Sequence, residues 1–83
     1  MKYLTLQPSQ SEDFKKAMQA AAWPITHQDV GQTEILAYGY VVIWQKGEHK
    51  VMLNYEDRQG KERVSLEVSP AIGDEIQGLI NAL

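Results

Sequence analysis

The chain has 83 residues, 43% of them hydrophobic and 23% charged, with a net charge of −3. That length makes one domain, spanning 1–83, which buries only about 60–65% of its unfolded surface and so has a small core. The mild negative charge gives no reason to expect nucleic acid or an anionic membrane as partner, and the absence of cysteine excludes disulfides and thiolate metal sites.

A chain without disulfides fits a reducing compartment, so the expected location is cytoplasmic. The start, Met1-Lys2-Tyr3-Leu4-Thr5-Leu6-Gln7-Pro8, turns polar too quickly for a signal peptide. No apolar run approaches the roughly 18 residues of a membrane span.

Residues 1–7 alternate weakly, with Leu4 and Leu6 on one side, and read as a short edge strand ended by Pro8. Ser9-Gln10-Ser11-Glu12 then reads as a capping box. Phe14, Met18 and Ala21 recur at helical spacing beside Ala17 and Ala22, which predicts an amphipathic helix over 10–22. Pro24 stops it. The polar, turn-prone stretch 24–33, with His27, Asp29, Gly31 and Gln32, reads as a loop.

Three strands follow, over 34–45, 50–58 and 62–68, with turns at Gly47-Glu48 and Gln59-Gly60. Closing each turn as a two-residue hairpin fixes the register. Trp44 then faces Val51, and Val51 faces Val68. Val42 faces Leu53, and Leu53 faces Leu66. Tyr40 faces Tyr55, and Tyr55 faces Val64. These three apolar rungs fall on one face, and a slip of one residue would destroy them all.

Ser69-Pro70 reads as an N-cap followed by proline at the first helical position. Ile72, Ile76, Leu79, Ile80 and Leu83 form the stripe of a second helix, with Asp74 and Glu75 in its first turn. The expected fold is therefore α+β: a two-layer sandwich of order (β)-α-β-β-β-α. An antiparallel three-stranded meander, with or without the N-terminal edge strand, carries both helices on the face of Tyr40, Val42, Trp44, Leu53 and Leu66.

The opposite face is less ordinary. Its last strand is polar there, and Glu56 and Arg63 face each other as cross-strand charges. The first of the three strands instead carries Ile35, Ala37, Gly39, Val41 and Ile43, and Met52 widens that apolar stripe. Ala37 and Gly39 are small enough to let another backbone approach. Either 1–7 or 24–33 covers the stripe, or it is a protein-binding surface, most simply that of a homodimer.

Little else suggests chemistry. His49, in a turn beside Glu48, is the one candidate general base, and a solvated turn histidine is the simpler account. His27 and Asp29 could supply two metal ligands without an identifiable third, so no metal is expected. Tyr38, Tyr40, Tyr55 and Trp44 could stack bases, but three of them belong to the core rungs. The basic residues Lys46 and Lys50 lie at one end of the sheet, and Arg58 and Lys61 at the other. No phosphate-binding glycine loop or nucleophile elbow is present, and no cofactor or small-molecule ligand is evident.

The order helix, three strands, helix is similar to the double-stranded-RNA-binding fold and to HicA-type mRNA interferase toxins. Gln45-Lys46-Gly47-Glu48-His49 resembles the turn that carries the histidine in those toxins. The resemblance implies an RNA-directed module or ribonuclease using His49. The chain departs from it at Ile72-Gly73-Asp74-Glu75, where RNA binders have a basic helix start.

The leading expectation is a non-enzymatic protein-interaction module that self-associates. An RNA-directed ribonuclease is the alternative, and an immunity or inhibitor protein a further one.

Overall fold

A computed structural model describes residues 1–34, 37–58 and 60–83. Strand β1 (Lys2–Leu4) leads into helix α1 (Ser11–Ala20). Strands β2 (Ile25–Glu34), β3 (Ala37–Lys46), β4 (His49–Arg58) and β5 (Lys61–Val68) follow, and helix α2 (Gly73–Asn81) closes the chain. The strands form one antiparallel sheet in the order β1-β5-β4-β3-β2. Both helices pack their apolar stripes on one face of it, so the α+β two-layer sandwich is the architecture of the protein.

The hairpin register is the one expected from the turns. Trp44–Val51–Val68, Val42–Leu53–Leu66 and Tyr40–Tyr55–Val64 are the observed rungs. Gly47 (φ 63°) and Gly60 (φ 80°) supply the left-handed backbone at the two turns. β1 adds Leu4 to the middle rung, opposite Leu66. The residues of the first two of these hairpin rungs are all buried with Phe14, Met18 and Ile76. Phe14 meets Trp44 edge to face, with ring centroids 5.7 Å apart.

The expected loop over 24–33 is instead largely strand β2, which adds a strand to the meander. Its polarity has a physical cause. β2 is the outermost strand of the sheet, so its inner face lies at the margin of the helical layer. Ile25 is 52% exposed there, and Gln28 is exposed. A strand that buries so little can be written in polar residues. Between the helices the chain therefore has four strands, which departs from the helix–three-strand–helix order of the resembled RNA-binding folds.

Both helix starts also differ from expectation, for one reason. Pro8 and Pro70 each open a 3-10 turn, over Pro8–Gln10 and Pro70–Ile72, before the α-helix begins. The Gln10 side-chain carbonyl, and not Ser9, answers an orphan amide, accepting from the Gln7 N–H at 3.1 Å. Ser69 stays extended, and its hydroxyl accepts from the Lys50 N–H at 2.9 Å, which prolongs the β4–β5 ladder. α1 ends with Ala22 in the left-handed region (φ 62°). There the Trp23 N–H reaches the Met18 carbonyl and the Ala22 N–H the Gln19 carbonyl, both at 3.0 Å, closing the helix before Pro24. Of the expected second stripe, Ile72 in the 3-10 turn and Ile76 and Ile80 in α2 are buried, Leu79 packs against them half-buried, and Leu83 is exposed.

Candidate functional site

The face of the sheet away from the helices is built in cross-strand rows. One row runs His27–Ile43–Met52–Glu67–Tyr3, and the next runs Asp29–Val41–Asn54–Ser65. A third brings Gly31, Gly39, Glu56 and Arg63 together. Val41, Ile43 and Met52 are half-buried neighbours at the centre of this face. They are flanked by His27 and Asp29 on one side and by Asn54, Ser65 and Glu67 on the other.

Neither segment expected as a cover lies over them. β1 sits at the far edge of the sheet, beside β5, and the 24–33 segment extends the sheet in its own plane as β2. Of the expected stripe, Ile35 lies outside the described residues, and Ala37 is placed by its backbone pairing with Glu34 and Arg58. Gly39 has a different explanation from the one its size suggested. A Cβ there would stand 2.8 Å from the Tyr55 carbonyl oxygen, so the close approach it permits is that of β4 within the same sheet.

Charges rim this strip. Glu56 is 3.3 Å from Arg58, two residues along its own strand, although the register sets it opposite Arg63. Tyr3 is held above its ordinary pKa, first by its hydrogen bond to the Glu67 carboxylate and then by that group's charge. Around the sheet, Tyr55 donates its hydroxyl to Glu62 at 2.7 Å, which with some burial pushes the phenol up to about 12.

A second concavity lies on the helical side. Between α1 and β2 runs a groove of about 490 Å³, lined by Trp23, Ile25, Val42 and Trp44 below and by Lys15, Lys16 and Gln28 at its rim. Lys15 stands 4.4 Å over the Tyr40 ring and also contacts Glu12, at 3.3 Å. Lys46 stands 4.9 Å over the Trp23 ring. The Trp23 indole N–H and the Tyr40 hydroxyl are buried without a hydrogen-bond partner among the described residues.

The candidates for chemistry are scattered. His49 is half-buried at the start of β4, opposite Lys46. His27 and Asp29 share the outer face of β2, since they are set opposite Ile43 and Val41. Among the described residues no three His, Asp or Glu side chains gather as a metal would need. Tyr40 and Tyr55 stack on each other, with centroids 4.9 Å apart, on the helical face. Tyr40 is buried there and so offers no open ring to a base. No described helix is long and apolar enough to cross a membrane.

The chain matches no family model, no curated protein and no solved structure.

The groove is not expected from the sequence, because 24–33 reads there as a loop. The signal was present as Ile25, Thr26, Val30 and Thr33, β-branched residues spaced through the polar stretch.

Proposed function

We propose that this chain is a protein-interaction module that binds a second copy of itself through the open face of its sheet. The observation that carries the reading is the adjacency of Val41, Ile43 and Met52 at the centre of that face, with both possible covers placed elsewhere. A flat strip of this kind accepts a second sheet at about 10 Å, the ordinary face-to-face spacing.

Charge favours a second copy as the occupant. Arg63 and Glu67 stand at opposite ends of β5 on this same face. Stacking two copies with their strands antiparallel brings the Arg63 of each over the Glu67 of the other.

Val41→Lys tests the reading. It places a charge in mid-strip, on the face of the sheet away from both helices. The variant should keep its fold by circular dichroism, and its mass by light scattering at high concentration should fall below that of the wild type. A wild-type chain that stays monomeric at millimolar concentration contradicts the proposal.

A further inference from the structure

The two edges of the sheet differ, and the open one has a definite geometry. β1 is three residues long, contains Lys2 and is followed by Pro8, all features that blunt an edge against pairing. β2 is ten residues long and contains neither lysine nor proline. Its register shifts fall between Ile25 and His27 and between Gly31 and Glu34, leaving His27–Gly31 regular.

The direction of its backbone groups follows from its neighbours. The Gln45 N–H donates to the Pro24 carbonyl at 3.1 Å, and the Ile43 carbonyl accepts from the Thr26 hydroxyl at 3.3 Å. The odd-numbered residues of β3 therefore turn their backbone toward β2. Lys50, opposite Gln45, turns its own N–H and C=O toward Ser69 instead, as that alternation requires. Ile43 and Val41 thus bond to His27 and Asp29, while the N–H and C=O of Gln28 between them point out of the sheet.

We infer that β2 pairs antiparallel with the β2 of a second copy, about a two-fold axis at Gln28, joining two sheets into one of ten strands. Side-chain complementarity selects this register. An axis at Asp29 sets two carboxylates directly opposite, and an axis at His27 sets two imidazoles opposite. An axis at Val30 sets Asp29 against Gly31. Only the axis at Gln28 sets each His27 against Asp29 of the other copy, an imidazole donor facing a carboxylate acceptor on both sides of the axis. These are non-hydrogen-bonded positions, where facing Cα atoms come within about 4.5 Å and side chains are closest. At the axis the two Gln28 backbones exchange a pair of hydrogen bonds.

Two further observations fit. The exposed Ile25 gains a neighbour in the other copy's β2. The axis is perpendicular to the sheet, so both helical layers stay on one side. The Trp23-floored groove is then bounded on its open flank by the second copy. This contact is distinct from stacking through Val41, Ile43 and Met52 and stands without it.

The test uses the whole chain. In a Val41→Lys background, which removes the face contact, sedimentation should find a dimer at high concentration. Gln28→Pro should convert it to a monomer with the sheet intact, because the lost N–H points outward and takes no part in the β2–β3 ladder. His27→Asp should raise the dimer dissociation constant about tenfold, by exchanging two complementary pairs for two like-charged ones. His27→Asp combined with Asp29→His should restore it. A Val41→Lys chain that is monomeric throughout, or a dimer indifferent to Gln28→Pro, overturns the inference. In the first case a wild-type dimer leaves the face contact standing by itself.

Discussion

The two halves of this sheet are finished to different degrees. On the side of β5 and β1, the edge strand is short and the inner rungs end in buried Leu66 and Val68. The outer surface there carries Arg63, Ser65 and Glu67. On the side of β3 and β2, the edge strand is long, Ile25 is exposed, a groove opens beside α1, and Val41 and Ile43 face away from the helices. The first half is polar on its outer face apart from Tyr3, which is 69% exposed beside Glu67. The second keeps apolar side chains and outward-pointing amides where a lone monomer gains nothing from them. On the proposed reading, the open half is where a second copy binds.

The largest expected effect breaks the frame that both halves share. Trp44 is fully buried at the β3 end of the first rung, against Phe14. Trp44→Ala should cost about 3–5 kcal/mol, a large part of what a domain of this size has. Urea denaturation should find the variant largely unfolded, and an unchanged midpoint would mean that the rung is not the core.

Glycines distinguish the open half from the rest at a smaller scale. Gly39→Ala drives a methyl group against the Tyr55 carbonyl, which is backbone and cannot move aside. A loss of about 1–3 kcal/mol is expected. Gly78, on α2, has open space where its Cβ would be. Gly78→Ala should therefore stabilise the protein by about 0.5–1 kcal/mol through helix propensity alone. Thermal melts of the two variants should move in opposite directions, and equal shifts would remove the close approach at Gly39 from the account.

Tyr55 sharpens the comparison through pH. Its phenol is raised to about 12, chiefly because it donates to Glu62. A group held neutral in the folded state stabilises fully below its unfolded pKa, near 10, and that contribution fades as pH rises toward 12. Glu62→Gln should lower the phenol's pKa in an ultraviolet titration and flatten the alkaline loss of stability. A titration curve unchanged by the substitution would contradict the assignment.

How much of this was legible in the sequence depended on how strongly each segment is constrained. Gly47 and Gly60 punctuate the hairpins, and three rungs then agree on one register, so β3, β4 and β5 could be placed from pattern alone. β2 could not, because an edge strand that buries little carries no alternation, and His27, Gln28 and Asp29 resemble a loop. Ser69 has the residue type of a cap, but Pro70 diverts the chain into a 3-10 turn and leaves its hydroxyl to Lys50. The missing side chain at Gly39 marks a place of close approach, but the sequence pattern does not say that its own neighbour in the sheet makes it. The apolar strip was legible at Val41, Ile43 and Met52, and its lack of a cover became visible only once β1 and β2 had positions.

The central claim is that the open half is where copies meet. A dilution series followed by amide resonances tests it most directly. The account predicts concentration-dependent shifts at Gln28, Val41, Ile43 and Met52, with the amides of Gln77 to Asn81, on α2, unmoved. A spectrum identical from micromolar to millimolar protein, or changes confined to β1 and β5, would contradict it.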